Sequence, residues 1–305
     1  MSIDIFMNAL PGNVAQGLIW GIMAIGVFIT YRILDIADLT VDGSMCTGGA
    51  VCIMMMLAGH NPWVALLASL VAGMLTGFVT GMLHTFLGIP AILSGILTQL
   101  ALYSVNLKIM TRANQSISVD RYDLLVSLRY VKDVPILRNS IFFIAVLLIV
   151  LIALLYWFFG TELGCSLRAT GCNGNMARAQ GINTNRNKVL GLMISNGLVA
   201  LSSALLAQYQ GFADVNMGRG AIVIGLAAVV IGEAILGKIF RNFALRLLAV
   251  TFGSIVYFFV LQVVVMIGVD TDLLKLFTAA IVATFLAIPY LKKTYWAKPA
   301  KRGGK

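Results

Sequence analysis

Few residues of this chain have the types and spacing that chemistry on a substrate would need. The sequence contains no H-E-x-x-H zinc motif, no G-x-S-x-G nucleophile motif and no cluster of Cys with His. The stretch from Gly232 to Lys238 matches the phosphate-binding pattern G-x-x-x-x-G-K, but Ile239 follows where a Ser or Thr would ligate magnesium. We therefore expect no catalytic residue, no metal site and no cofactor on this chain, and nucleotide chemistry would need another polypeptide.

The acidic residues near apolar segments are few and specifically placed. Asp35, Asp38 and Asp42 follow one another at spacings of three and four, so they share one face of a helix. Asp38 suits a helix N-cap, whereas Asp42 lies one turn deeper in an apolar run, where a carboxylate is costly. Two interpretations of Asp42 are left open, a structural bond to a neighbouring helix or a place on a transport path. For Glu233, near the end of another apolar run, we favour an interfacial or inter-helix role.

Uncharged polar side chains are scattered through the apolar runs of the sequence. Walls of this kind suit an uncharged or zwitterionic small solute, and they fit many such solutes. Together with one acid they form the predicted translocation path: Asp42, Ser44, Ser94, Thr98, Gln99 and Asn196.

The composition predicts that these residues lie in a membrane. Of the 305 residues 60% are hydrophobic and 11% charged, whereas a soluble domain carries roughly 25% charged residues. Apolar runs long enough to cross about 30 Å of hydrocarbon recur along the chain. We expect an all-α, polytopic membrane helical bundle of about nine transmembrane helices, between about eight and ten, and a short, Gly-rich seventh span leaves a re-entrant or broken helix possible. The predicted spans are 14–31, 38–58, 62–86, 89–110, 139–160, 188–210, 217–237, 243–267 and 273–291.

Three glycines at spacing four, Gly73, Gly77 and Gly81, form a flat stripe on the third predicted span. Small residues at this spacing let two helices approach closely where lipid gives no hydrophobic drive to associate. The stripe indicates a compact bundle.

The positions of the basic residues predict the orientation. The net charge is +10, and most Lys and Arg lie between apolar spans, next to anionic lipid, which argues against nucleic acid as the partner. With the N-terminus outside, fourteen of the 22 Lys and Arg fall on the inner side, six of them in the tail. We therefore expect the N-terminus outside and the C-terminus in the cytoplasm, with the protein crossing the membrane many times.

The connection between the fifth and sixth spans is the most informative stretch. Its middle, residues 175–180, predicts a short helix with Asn173 as N-cap and Gly181 as C-cap. Such a capped helix suits a rigid docking element, although an ordinary polar loop fits the residues equally well.

Residues 169–183, Ala-Thr-Gly-Cys-Asn-Gly-Asn-Met-Ala-Arg-Ala-Gln-Gly-Ile-Asn, resemble the coupling segment A-x-G-x-N-x-x-A-A-x-x-x-G-I-N of bacterial permeases of the ribose and branched-chain amino-acid importer group. Met176 departs from the commoner small residue. Residues 37–44 resemble the sugar-permease signature I-D-L-S-V-G-S, with Asp42 as an apparent insertion. Residues 214–233 resemble a branch of permeases of which some are linked to tryptophan or tyrosine uptake.

The resemblance implies the type II-like permease of an ATP-binding-cassette (ABC) importer. Such a chain would be a non-catalytic subunit that forms a homodimer with a second copy and works with two cytoplasmic ATPase subunits, which bind ATP and magnesium. An extracytoplasmic binding protein would deliver the solute. The resemblance carries contact with the ATPase to eight positions: Arg168, Ala169, Gly171, Asn173, Met176, Ala177, Arg178 and Gly181.

The predicted organisation is a transmembrane permease domain, 1–291, followed by a basic cytoplasmic tail, 292–305. Within the domain, 161–188 is the cytoplasmic coupling loop. The extracytoplasmic loop 111–138 carries both signs of charge and is the candidate for contact with the binding protein, a solvated loop without a partner being the alternative.

Several functions compete with the importer permease. An ion-coupled secondary transporter would be expected to show internal repeats and acids at mid-span, and no clear repeat or acid of that kind is visible. A membrane enzyme lacks a catalytic cluster, a scaffold has no positive support, and the loop pattern belongs to importers and not to exporters. Among solutes, amino acids, aromatic ones first, are favoured, with a sugar or nucleoside permease as the alternative.

Overall fold

A computed structural model of the chain describes residues 3–118, 122, 124–131, 139–237, 239–240 and 242–266, together with 273, 276–280, 282–284 and 287. The chain is helical over most of these residues. The α-helices are α1 (Ile3–Phe28), α2 (Thr40–Leu57), α3 (Pro62–Thr85), α4 (Ala91–Met110), α5 (Ser140–Gly160), α6 (Glu162–Cys172), α7 (Gly174–Ala179), α8 (Thr184–Gln210), α9 (Ala221–Leu236) and α10 (Phe243–Met266). A π-helical turn (Ile29–Ile33) extends α1, a 3₁₀ turn covers Leu128–Val131, and strand β1 (Asn114–Ser116) pairs antiparallel with β2 (Phe212–Asp214).

The helices reproduce most of the predicted spans. Seven segments are long and apolar enough to cross a membrane, and they correspond to predicted spans one to six and eight. The seventh, predicted over 217–237, is shorter in the structure, because residues 217–220 form a turn before α9 begins. Of the ninth, 273–291, the structure describes ten residues, and among these 276–280, 282–284 and 287 are helical. The polytopic helical bundle is confirmed.

Helix α8 is the centre of the bundle. It is 27 residues long, is mostly buried and packs against α1, α2 and α3. By contrast, α4 and α5 turn most of their surface outward and expose large apolar side chains such as Leu100 and Trp157. Outward apolar surface of this kind is what a helix in contact with lipid requires.

The predicted glycine stripe lies where α3 meets α8. A Cβ built on Gly77 would meet the carbonyl oxygen of Leu192 and lie 2.9 Å from Met193 Cα, and one built on Gly81 would lie 2.9 Å from Val189 Cα. The backbones of the two helices are therefore too close to admit any side chain at these positions, as the spacing predicted.

A buried network of polar side chains joins α2, α3 and α8. Asn196, near the middle of α8, donates a hydrogen bond to Asp38 Oδ2 at 2.7 Å and accepts one from Ser44 at 2.7 Å. The Ser44 hydroxyl also lies 2.6 Å from that of Thr76 on α3. All four side chains are buried, and the network therefore supplies the partners that an apolar surrounding cannot.

A second set of hydroxyls continues this network into α4. Thr80 shares a hydrogen bond with Thr40 at 2.7 Å and donates one to Thr98 at 2.9 Å. These contacts hold α2, α3 and α4 together. Such bonds matter in a membrane, because lipid gives helices no hydrophobic drive to associate.

The connections gather at two ends of the bundle. The α6–α7 end carries 86–90, 161–183, the described residues of 237–242 and the beginning of the connection 34–39. Here Lys188 Nζ lies 3.3 Å from His84 Nε2, and the Arg168 guanidinium lies 5.8 Å from the ring of Phe243. The opposite, sheet end carries 58–61, the described residues of 111–139 and the beginning of 211–220, where β1 pairs with β2.

Gly77→Ala should destabilise the protein, although Gly→Ala in a helix ordinarily stabilises it by roughly 0.5–1 kcal/mol. The added methyl group has no space against α8 and should lower the free energy of unfolding by about 1–3 kcal/mol. Gly160→Ala is the matched control, because a Cβ there meets nothing within 4 Å. Thermal unfolding of the detergent-purified variants measures the difference, and a melting temperature for Gly77→Ala at or above that of the control would contradict the packing.

Thr80→Val should cost more stability than Thr47→Val, although both changes are isosteric and buried. The Thr80 hydroxyl links α3 to α2 and α4, whereas that of Thr47, among the described residues, bonds to Gly43 O within its own helix. Two interhelical bonds in a membrane contribute roughly 1–2 kcal/mol. Denaturation in mixed micelles would compare the two variants, and equal losses would show that the network does not hold the helices together.

Candidate functional site

The segment between α5 and α8 folds into two short helices against the α6–α7 end of the bundle. The Thr161 hydroxyl caps α6 by accepting a hydrogen bond from Gly164 N at 3.4 Å. Helix α6 buries Leu167, and Asn187 of α8 donates to the Thr170 hydroxyl at 2.9 Å. We expected a helix only in the middle of this segment, and α6 was missed because its residues are mostly small and polar.

Helix α7 is the short capped helix that the sequence predicts. The Asn173 side chain accepts a hydrogen bond from a backbone amide of the first turn at 3.0 Å. Gly181 has a φ of +80°, and Ile182 N donates to Ala177 O at 3.0 Å. A left-handed glycine with this backbone bond is the Schellman C-cap. The helix and both its caps are confirmed, and its backbone is rigidly closed at each end.

The eight residues predicted to contact an ATPase fall into two groups. Those that are exposed are Arg168, Asn173, Met176, Arg178 and Gly181. Those that are wholly or partly buried against the bundle are Ala169, Gly171 and Ala177. Met176 is the apolar member of the exposed group, with 64% of its surface accessible. The segment thus has one face attached to the bundle and one face free.

Close contacts attach the segment to two long helices, and one of these contacts is made by Arg178 of the exposed group. A Cβ on Gly171 would meet the carbonyl oxygen of Ile33 and lie 2.9 Å from Leu34 Cα, so α6 rests directly on the backbone that follows α1. Arg178 Nε donates to the Thr184 hydroxyl at 2.7 Å, which ties α7 to the first turn of α8. A movement of the free face would therefore reach α1 and α8.

An ion pair crosses the same end of the bundle. Arg32 Nε, in the π-helical turn, lies 3.1 Å from Glu233 Oε1 near the end of α9. Glu233 thus has the inter-helix role that we favoured from the sequence. Because both side chains are partly exposed, the pair contributes little to stability, and its effect is to link α9 to the turn on which α6 rests.

The six residues predicted for the translocation path are not all in one place. Ser44, Thr98 and Asn196 belong to the buried polar network, and Ser94 is buried on α4 with its hydroxyl bonded to Ala91 O at 2.8 Å. The remaining two, Asp42 and Gln99, reach a cavity on the other side of α2.

Asp42 forms the inter-helix bonds that were one of its two interpretations. Its carboxylate accepts hydrogen bonds from Gly220 N and Ile222 N, both at 3.0 Å, at the beginning of α9. An anion at a helix N-terminus compensates unpaired amides and the helix dipole. The partners are about 180 positions away in the sequence, so spacing gave no means to identify them.

The cavity measures about 260 Å³ and lies between α2, α4 and the turn that precedes α9. Its lining residues are Asp42, Gly43, Cys46, Gln99, Leu100, Tyr103, Asn106, Val215 and Arg219. Asp42 therefore combines its structural bonds with a position on the cavity wall.

Three polar residues of this cavity were missed by sequence reasoning. Tyr103 and Asn106 follow Gln99 on α4 at spacings of four and seven, which places them on one helical face. That polar stripe was a usable signal. Arg219 lay inside a predicted span and was counted only as a charge that sets orientation.

Among the described residues, no group of three or more His, Cys, Asp or Glu side chains could hold a metal ion. The geometry of the α6–α7 segment and of the cavity beside α2 suits contact and non-covalent binding. Among their described residues, neither the segment nor the cavity brings together a nucleophile and a base.

Comparisons with known proteins agree with this architecture. A family model described as the permease component of the branched-chain amino acid transport system matches residues 12–286. A tyrosine transport system permease protein of Clostridioides difficile is 38% identical over 281 residues, which cover 92% of this chain and 91% of that protein. An uncharacterized protein of Rickettsia prowazekii is 36% identical over 94% of this chain. The autoinducer 2 import system permease protein LsrC of Escherichia coli is 31% identical over 72% of this chain and 61% of its own length.

No solved structure gives a significant match. The family model nevertheless covers nearly the whole chain, and the first two relatives match it over nearly its whole length. The chain therefore belongs to the branched-chain amino acid transport system permease family, and it is a membrane-spanning, non-catalytic permease component of an ABC transport system whose ATPase is a separate subunit.

Proposed function

We propose that the small solute imported by this permease is an amino acid, with aromatic ones favoured, and that its ATPase docks on the free face of α6 and α7. The observation that carries the docking proposal is the division of this segment into an attached face and an exposed face. A rigid element of this kind can receive a displacement from one partner and pass it on to the helices beneath it.

The contacts of the attached face support this mechanism. Gly171 rests on the backbone after α1, and Asn187 and Thr184 hold α6 and α7 to α8. Closure of the ATPase on nucleotide would therefore move α1 and α8 together. Such a rigid-body shift between two states is the usual repertoire of conformational coupling. ATP and magnesium would be bound by the ATPase alone.

The orientation follows from the charge distribution and from the two ends of the bundle. The α6–α7 end would face the cytoplasm, and the sheet end, with the N-terminus, would face outward. Loop 111–138, whose described residues lie at the sheet end, would then contact an extracytoplasmic binding protein, and complementary charges would speed their encounter. The membrane would be the cell membrane of a bacterium.

The assembly would contain two copies of the permease and two of the ATPase. Closed two-fold symmetry is the commonest arrangement of identical subunits, and the exposed apolar surfaces of α4 and α5 offer room for a second copy as well as for lipid. Each ATPase would contact one α6–α7 face.

The proposed solute follows from two observations. The tyrosine permease is similar over nearly the whole length of both chains. The cavity beside α2 also carries an acid, a base and amide side chains, which suits a solute with both charges. The alternative is a solute other than an amino acid, and similarity to the autoinducer 2 permease, a more distant relative, supports it.

Met176→Asp should weaken association with the ATPase at least about tenfold, or about 1.4 kcal/mol, because it places a charge at the apolar centre of the proposed contact. Leu87→Asp is the matched control. Leu87 lies at the same end of the bundle, outside 161–188, and is 69% exposed, compared with 64% for Met176.

The measurement is the amount of ATPase that copurifies with each variant after co-expression, together with the rate of ATP hydrolysis in lipid nanodiscs. The proposal predicts loss of ATPase for Met176→Asp and wild-type recovery for Leu87→Asp. Equal recovery for both variants would show that the ATPase docks elsewhere.

A further inference from the structure

The cavity beside α2 contains a buried polar atom that the protein leaves without a partner. Asn106 is fully buried, and its Oδ1 has no hydrogen bond in the described part of the chain. Its Nδ2 only approaches Gly43 O at 3.5 Å. A buried carbonyl without a donor destabilises the protein, so a ligand that supplies a donor here would recover that loss.

Two further side chains on the same wall can also bond to a ligand. Gln99 and Arg219 line the cavity, and within the described residues neither side chain makes a hydrogen bond or an ion pair. Gln99 can both donate and accept, and the guanidinium offers five N–H donors in a planar fork that matches a carboxylate.

The charges of the cavity are opposite in sign and are not paired with each other. Asp42 and Arg219 line the same space, yet Arg32–Glu233 is the ion pair that the described residues form. The Asp42 carboxylate is held by two backbone amides at 3.0 Å, and its oxygens keep further lone pairs for another donor. The cavity thus presents a fixed negative group and a free positive group.

We propose, on the basis of the permease function above, that this cavity binds the zwitterionic head of an α-amino acid within the permease. The carboxylate binds the Arg219 guanidinium, and the ammonium group donates to Asn106 Oδ1 and to Asp42. Gln99 bonds to either group. A zwitterion satisfies both signs of charge at once, so it enters without leaving an unpaired charge in an apolar surrounding.

The size and the apolar wall of the cavity set the solute class. Its volume of about 260 Å³ lies just below the roughly 300–1,000 Å³ of pockets for drug-sized ligands, which limits it to a small molecule. Leu100 and Tyr103 provide an apolar and aromatic surface beside the polar groups. A neutral or aromatic amino-acid side chain fits this surface, because it brings no further charge.

The experiment is equilibrium binding to the permease–ATPase complex in lipid nanodiscs, without the binding protein. The probes are radiolabelled L-tyrosine and, separately, L-leucine. Tyramine, which lacks the carboxylate, and 3-(4-hydroxyphenyl)propionate, which lacks the ammonium group, are tested as competitors. The variants are Arg219→Gln and Asn106→Leu, and Lys108→Gln is the matched control, because it removes one exposed positive charge of α4 at the same end outside the cavity.

We expect the wild-type complex to bind at least one probe and both competitors to be at least about tenfold weaker than tyrosine, since each lacks one of the charged partners. Arg219→Gln should weaken amino-acid binding at least about tenfold and leave binding of tyramine unchanged. Asn106→Leu should weaken tyramine as well, and Lys108→Gln should behave as wild type.

Three results would overturn the site. They are binding of neither probe, equal affinity for tyrosine and tyramine in the wild type, or an effect of Lys108→Gln as large as that of Arg219→Gln. The ATPase in each sample is quantified in parallel. Its presence together with any of these results leaves the permease function standing, whereas its absence from the wild-type complex overturns the proposed function itself.

Discussion

The architecture depends on the rule that a backbone amide or carbonyl inside a membrane must find a partner within the protein, because lipid offers none. Two connections break the helices inside the bundle, 34–39 before α2 and 211–220 before α9. Side chains of α2 and its approach supply the missing partners. Asp38 accepts from Thr40 N at 2.9 Å, and Asp42 accepts from the first amides of α9. Cys46 both donates to Val215 O and accepts from Gly218 N.

These bonds hold the two connections against the first turns of α2, and the cavity lies there. Irregular backbone at membrane depth is tolerated where it is buried in protein or lines a cavity, and transporters use such broken helices to bind solutes. The same stretch is also close to the proposed docking face, because Gly171 rests on Ile33 and Asp42 is only nine positions after Ile33. A displacement of α6 would therefore act first on the segment that shapes the cavity. The contacts form a continuous route, and the coupling along it is part of the proposal.

The sequence could predict features that depend on interactions between residues close in sequence, and it could not predict those that depend on residues far apart in sequence. The bounds of the long helices were predicted within a few residues, because the length of an apolar run is a local property of the sequence. The exception is α1, which begins earlier than its predicted span. The caps of α7 were also local, since Asn173 and Gly181 act within a few positions. The partners of Asp42 were out of reach, because they depend on tertiary folding, and the turn 217–220 was read as helix because its apolar and glycine residues resemble a span. The lining of the cavity was predicted in part, since Gln99 was assigned to the translocation path but the polar stripe that continues from it to Asn106 was not identified.

The most direct test of the central claim is uptake of radiolabelled tyrosine into proteoliposomes under two sources of energy. In one, the permease is reconstituted with its ATPase and binding protein and supplied with ATP. In the other, the permease is reconstituted alone under an imposed proton or sodium gradient. If the separate ATPase drives the permease through α6 and α7, as proposed, uptake should occur only in the complete, ATP-supplied system. Gradient-driven uptake by the permease alone would contradict this and would make the protein a secondary transporter.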